Sequence, residues 1–345
     1  MINGLDLFLS MSTSFCLTCI ATPILRTTAE RLGIIDKPDE NHKSHSKAVP
    51  YLGGLAIVFG VTSVTVIGTT LRFRGDTIFL HLALYILLPA MVLSIVGLVD
   101  DIKKLSPSSR FLVQTLAGVF TATVLVNSDT AGTPLGIVWV DFLISVLWII
   151  GITNSVNFLD NHDGGAAGVV AISSFLLFIL AQMSDQTLIA ALSLTLSAAC
   201  LGFLVWNRYP ASIYMGDAGA LFLGTLLAGL LIRFDPESEN RFASFAMPFL
   251  LVAVPILDTS IAVVSRVVRK KSPFEGGRDH LSHRLMRRGF SITTTPRILW
   301  ALSLVFGILT IIIASSSYIL QTYLTIGGIV FWILSFRYFW NIPHE

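Results

Sequence analysis

The sequence predicts an all-α, polytopic integral membrane protein, and three observations carry that prediction. Of the 345 residues, 54% are hydrophobic and only 13% are charged, and the mean hydropathy is +0.77. A chain of that kind has too little polar surface to cover a soluble globule. Its apolar residues fall into eleven runs, each close to the about 20 residues that a helix needs to cross a bilayer core. Its basic residues gather in alternate loops, as they do where one face of a membrane retains positive charge.

Taken in order, the runs lie near 5–25, 51–71, 78–99, 111–127, 136–153, 166–182, 187–205, 218–233, 245–265, 298–315 and 320–336. They are continuous rather than alternating, which selects helices over a barrel. The first has no basic residue before it and is long enough to span, so it reads as a retained helix and not a cleaved signal. The stretches after odd-numbered runs hold eighteen Lys and Arg, against four on the other side (Arg72, Arg74, Arg233 and Arg241). The N-terminus is therefore expected outside and the C-terminus inside, in the inner (plasma) membrane. No polar stretch has room for a soluble domain, so residues 1–345 read as one membrane domain. Cys16, Cys19 and Cys200 lie inside predicted spans and suggest packing, not redox chemistry. The net charge of +2 matters only through its asymmetry, and nothing points to nucleic acid.

The polar residues that a mere connector would not need all fall in the loops near 26–50, 100–110, 154–165, 206–217 and 266–296, on the predicted cytoplasmic side. Asp100 and Asp101 stand where LSIVGLV leaves the membrane. Adjacent carboxylates there repel and resist desolvation, so a cation or a proton must relieve them. A solvated helix end is the bland alternative, weakened by Lys103, Lys104 and Arg110, which suit phosphates. NSVNFLDNHDGGAAG, residues 154–168, packs Asn154, Asn157, Asp160, Asp163 and glycines into one turn. Its oxygens suit a hard cation, although an ordinary Asn/Asp/Gly turn has the same composition. Asp217 in YMGDAGALFLG is placed to cap the eighth helix, to bind a metal, or both. The last loop, RVVRKKSPFEGGRDHLSHRLMRRGFS, carries eight basic residues. Lipid anchoring explains those, but not His280 and His283, which lack a nearby Cys or third His for zinc and so suggest phosphate or sugar contact. Lys47 taken alone is one more inner-face lysine. Asp258 lies about 12 Å inside the ninth helix by helical rise, with no partner evident from sequence.

In this order, VDDIKKLSPSSRFLVQ, NSVNFLDNHDGGAAG, NRYPASIYMGDAGALFLG and GRDHLSHRL resemble the signatures of the polyprenyl-phosphate N-acetylhexosamine-1-phosphate transferases, glycosyltransferase family 4. The pattern His280 to Arg284 resembles the His-x-His-His-Arg of the undecaprenyl-phosphate GlcNAc-1-phosphate branch more than the three consecutive histidines of the phospho-N-acetylmuramoyl-pentapeptide branch. Two positions depart: Ser282 stands where a histidine is common, and Lys104 where a third acidic residue is. The resemblance implies a Mg²⁺-dependent transfer, with Mn²⁺ as a substitute, of GlcNAc 1-phosphate from a UDP-sugar to polyprenyl phosphate. UMP leaves, in the first membrane step of a cell-envelope glycan pathway. It implies Asp217 and Asn157 as metal ligands, Asp100 as the base or activating group, and Asp101 as its partner in binding metal or holding geometry. Asn154, Asp160, Asp163, Asn207 and Tyr214 would line the uridine end. Lys47, Lys104 and Arg110 would face phosphates, and His280, His283 and Arg284 the sugar-phosphate. Direct attack and a covalent phospho-enzyme both stay open, and a homodimer is compatible with the sequence. A secondary transporter is the rival class, but its site would sit near the bilayer midplane rather than at one face.

Overall fold

The computed structural model describes residues 4–36, 48–72, 78–273 and 277–343, and is all-helical apart from one two-stranded pair. Helix α1 (Gly4–Leu32) leads into strands β1 (Ile35–Asp36) and β2 (Val49–Pro50), which pair antiparallel with Ile35 opposite Pro50. There follow α2 (Gly53–Arg72), α3 (Ile78–Lys103), α4 (Pro107–Asn127), α5 (Val138–Leu159), α6 (Gly165–Met183), α7 (Thr187–Asn207) and α8 (Gly216–Arg233). After α9 (Arg241–Leu251) and α10 (Ala253–Val268) comes the short α11 (Leu281–Arg287), and then α12 (Thr294–Ala314) and α13 (Tyr318–Trp340). Among the described residues, ten helices are long and apolar enough to cross a membrane, and the bent pair α9 and α10, counted as one span, brings the number up to eleven.

That eleventh span corrects one expectation. The run near 245–265 is not a straight helix but two, bent by 73° at Val252. Pro255 supplies the reason: it has no N–H to return to the carbonyl of Leu251, four residues earlier. Lipid cannot satisfy a freed carbonyl, so neighbouring helices do. Ser173 Oγ donates to the Leu251 carbonyl at 2.7 Å, and Trp332 Nε1 donates to that of Ala253 at 3.0 Å. The strand pair is a second departure from the purely helical expectation. At two residues per strand it serves to bring Tyr51 and the start of α2 beside the loop before α8, where Gly53 N–H donates to the Tyr214 carbonyl and Tyr214 N–H to that of Pro50.

Helix α8 is the centre of the bundle: 83% of its spanning stretch is buried, against 17% for α1 and for α13 at the periphery. It packs on α3 and α5, and one glycine sets how close α3 comes. A Cβ on Gly97 would strike the backbone of Asp217 and Ala218, so only glycine lets α3 pass directly beneath the first turn of α8. One helical turn further along α3 stand Asp100 and Asp101. Tight packing therefore delivers two carboxylates to one helix N-terminus.

The ends of α1 and α13 can be placed relative to that point. The C-terminus of α1 runs into β1, whose Asp36 borders the main cavity, while the Arg284 guanidinium holds the carbonyls at the end of α13. The end of α13 thus lies at the cavity face, as the end of α1 does.

Candidate active site

A cavity of about 830 Å³ opens where the loops after α1, α3, α5, α7 and α10 meet. Asp100, Asp101, Asn157 and Asp217 stand at one end, and Asp160, Asp163, Asn207 and Tyr214 along the wall. Lys104, Arg110 and His283 also line it. Eleven of the residues singled out from the sequence therefore share one space. Lys47 lies outside the described residues.

The carboxylates are not equivalent. Both oxygens of Asp101 accept backbone N–H groups from the first turn of α8, Asp217 at 2.9 Å and Ala218 at 3.2 Å. Asp101 thus caps α8 from another helix, satisfying N–H groups that have no partner within it. Gly216, at φ +73°, makes the turn, and a Cβ there would fall 2.6 Å from the Asp101 carboxylate. Asp217 does not cap its own helix. Its side chain faces the cavity, accepting from Asn157 Nδ2 at 2.8 Å and from Arg110 Nη1 at 3.4 Å. The same Nη1 donates to Asp100 at 2.8 Å, and the other Asp100 oxygen accepts the Leu105 N–H at 2.6 Å.

Two carboxylates from different helices thus converge on a single cationic nitrogen. That geometry suits a hard divalent cation held by Asp217 and the amide oxygen of Asn157, with phosphate and water oxygens completing the shell as Mg²⁺ prefers. Among the described residues no three His, Cys, Asp or Glu side chains form a closed metal cluster. Asp101 is taken up by the first turn of α8.

The wall is built from two loops tied together. Asn207 is buried and bridges them, accepting from Gly164 N–H at 3.0 Å and donating to the Ile213 carbonyl at 3.0 Å. Asp163 accepts the Ala211 N–H at 2.9 Å. Burial, and then the neighbouring Asp217, Asp101 and Asp163, push the Asp160 carboxyl up to about 8, so it is largely protonated at neutral pH. Burial first, then Asp101, Tyr214 and Asp217, push Tyr51 up to about 12, while burial first, then Asp163 and Asp160, raise Tyr214, so both rings present neutral hydroxyls.

Three assignments read from sequence change. Asn154 lies off the main cavity, donating to Gln114 Oε1 at 2.7 Å, and borders a smaller pocket with Pro107, Phe111 and Gln114. His280 is buried: its Nδ1 meets Asp258 at 2.7 Å and its Nε2 meets Arg266 Nη2 at 3.1 Å. Arginine only donates, so Nε2 accepts and Nδ1–H points at Asp258. Asp258 thereby gains the partner that its sequence context did not reveal, and it also accepts the Leu281 N–H at 2.7 Å. Arg284 is buried as well, donating to the Asp279 carbonyl at 3.0 Å and to those of Phe339, Trp340 and Ile342. Neither His280 nor Arg284 reaches the cavity, because each is consumed in fastening the basic loop. Tyr51, Asn161 and His162 border the cavity without having been singled out. His162 sits inside the Asn/Asp/Gly turn and Tyr51 just after Lys47, so proximity to those motifs was their available signal.

The family described as glycosyl transferase family 4 matches residues 83–235, the stretch that holds Asp100, Asp101, Asn157 and Asp217. The chain is 32% identical over 322 residues to a probable undecaprenyl-phosphate N-acetylglucosaminyl 1-phosphate transferase of Bacillus subtilis, covering 90% of this chain and 86% of that one. It is 32% identical over 324 residues to the decaprenyl-phosphate N-acetylglucosaminephosphotransferase of Mycolicibacterium smegmatis, covering 86% and 79%. A phospho-N-acetylmuramoyl-pentapeptide-transferase of Staphylococcus carnosus matches at 26% over 320 residues, covering 86% and 95%. By its matched core and by its near full-length likeness to these relatives, the chain belongs to glycosyl transferase family 4, on the side of the polyprenyl-phosphate GlcNAc-1-phosphate transferase branch.

Proposed function

We propose that the protein transfers N-acetylglucosamine 1-phosphate from UDP-N-acetylglucosamine to a polyprenyl phosphate at the cytoplasmic face of the plasma membrane. One observation supports this reading above the others. Arg110, Asn157 and Asp217 border both the large polar cavity and the small pocket between α4, α5 and α8. Beside that pocket α4 presents Phe111, Leu112 and Leu116, all exposed where lipid would lie. A water-soluble diphosphate in the cavity and a phosphate carried on a lipid would meet at these three residues.

The chemistry follows from charge. An oxygen of the lipid phosphate attacks the β-phosphorus of the UDP-sugar, the bond to the bridging oxygen breaks, and UMP leaves with that oxygen. The main obstacle is bringing two anions together and holding them in line. Arg110 and Lys104 offset the charge. Mg²⁺, held by Asp217 and Asn157, would supply the remaining electrostatic stabilisation. Asp100, paired with Arg110, would activate the acceptor phosphate, and Asp101 keeps the first turn of α8 in register for Asp217. Asp160, Asp163, Asn207, Tyr51 and Tyr214 offer the hydrogen bonds and ring faces that a nucleoside needs.

Purified protein supplied with undecaprenyl phosphate, Mg²⁺ and a panel of UDP-sugars should release UMP fastest from UDP-N-acetylglucosamine. EDTA should abolish turnover and Mg²⁺ or Mn²⁺ restore it. Preference for the UDP-muramoyl-pentapeptide donor would move the protein to the other branch, and full activity in chelator would sink the mechanism.

A further inference from the structure

Ser282 lies in a line of hydrogen bonds whose direction is forced. Asn161 Nδ2 donates to the Phe158 carbonyl at 2.6 Å, which fixes the amide and leaves Oδ1 to face Ser282. An amide oxygen cannot donate, so the Ser282 hydroxyl gives its one proton to Asn161 Oδ1. Ser282 Oγ then has only lone pairs for His283 Nδ1, 3.1 Å away, and that contact holds only if Nδ1 carries the proton. Nε2 is left with its lone pair and makes no hydrogen bond among the described residues, on a side chain that borders the cavity.

Building on the transferase reading, we infer that Phe158, Asn161 and Ser282 hold His283 as a neutral hydrogen-bond acceptor, which reads a hydroxyl or acetamido N–H on the donor's sugar instead of a phosphate. The charged surroundings agree. Burial, then His280 and Arg287, with His162 beyond them, hold the His283 imidazole down to about 4, and Asp258 opposes this only in part. An imidazole uncharged throughout the physiological range offers nothing to a phosphate through Nε2, since two acceptors would face each other. Sugar hydroxyls and the acetamido N–H are donors. Ser282 and Asn161 are positioning residues in this scheme, and His283 is the residue that touches ligand.

Two measurements test the inference. Protein labelled with ¹⁵N-histidine and held in nanodiscs, with His283→Gln used to assign the resonance, should show His283 at pH 7 as the neutral Nδ1–H tautomer. Ser282→Ala should convert it to a tautomer mixture, and Ser282→Thr should restore it. An Nε2–H tautomer or an imidazolium in the unsubstituted protein would overturn the inference whatever reaction the protein catalyses. In UMP-release kinetics, His283→Gln keeps an acceptor near the Nε2 position and should raise the KM for UDP-N-acetylglucosamine by clearly less than His283→Lys does. His283→Lys offers only donors and should raise it about tenfold, the size of one lost hydrogen bond, with the acceptor KM unchanged. A lysine variant that equals or betters the unsubstituted protein would assign the position to phosphate instead. Unsubstituted protein that releases no UMP from any UDP-sugar would refute the transferase reading, while the tautomer would still decide whether His283 presents an acceptor.

Discussion

Two polar clusters meet at the cavity face, and they are built on opposite plans. Around Asp217, carboxylates from α3 and α8 outnumber the one guanidinium between them, and their oxygens open onto the cavity. Around Asp258 every charge is matched. Asp258 holds His280, His280 accepts from Arg266, and Arg266 grips Asp279 through two bonds of 2.8 and 3.0 Å while Arg269 adds a third at 2.8 Å. The Arg266 guanidinium also lies over the Phe158 ring at 5.5 Å. An arrangement left electrostatically incomplete is available to a ligand, whereas a closed one spends its groups on holding a loop. Type and position in sequence look alike in the two cases, and only the partner count tells them apart.

The contrast can be broken most sharply at Asp217. Because Asp101 supplies the cap of α8, Asp217→Asn should leave the melting temperature in detergent nearly unchanged and cut kcat by at least about 100-fold. Near-normal turnover would mean that the open cluster is not the reactive one. The closed cluster should answer in the reverse sense. Asp258→Leu removes the acceptor for the His280 ring and the Leu281 N–H, leaving buried donors without partners, and should cost about 3 kcal/mol in unfolding experiments. A variant that stays stable but loses turnover would place Asp258 in the chemistry and erase the distinction.

Arg284 sharpens the same point at lower amplitude. Arg284→Met keeps much of the bulk but forfeits the bonds to the end of α13, so a loss of about 2 kcal/mol is expected, with donor KM within about threefold of normal at 20 °C or below. A tenfold rise in donor KM at unchanged stability would return Arg284 to the sugar-phosphate role that its motif suggested.

How much of this was legible beforehand follows the same division. The spans were readable because lipid demands long apolar runs, and the charge asymmetry between loops gave their order a direction. The bend at Val252 was not, because Pro255 lies within an unbroken apolar stretch, and its effect depends on Ser173 and Trp332 from other helices. Asp100 and Asp101 stood out because adjacent carboxylates at a membrane boundary need a cation or a proton, and Asp217 because it follows a glycine at the start of α8. Asp101 is chemically the same as Asp100, and its separate task appears only where Gly97 lets α3 pass under α8. His280 and Arg284 looked like ligands since sequence shows what a side chain can donate, not what it has already been given.

Asp160 supplies the smallest and most graded test, because it belongs to the cavity wall yet lacks the charge that its residue type implies. Its carboxyl is raised to about 8 in the folded protein, against about 3.9 in an unfolded chain. Between those values the folded state holds a proton that the unfolded state has lost, so stability must fall as pH rises, by up to about 1.4 kcal/mol per pH unit. Water in the cavity screens the carboxylate and makes that slope an upper bound. Asparagine copies the protonated acid in shape and neutrality but cannot titrate. Asp160→Asn should therefore flatten the decline of melting temperature between pH 5 and 8, and above pH 8 the variant should melt higher than the unsubstituted protein. If the wall holds a nucleoside through a protonated Asp160, the donor KM of the unsubstituted protein should rise as pH passes 8, and that of the variant should not. Parallel stability curves for the two proteins would mean that Asp160 is ionised at neutral pH and that the wall, like the Asp217 end, presents negative charge to its ligand.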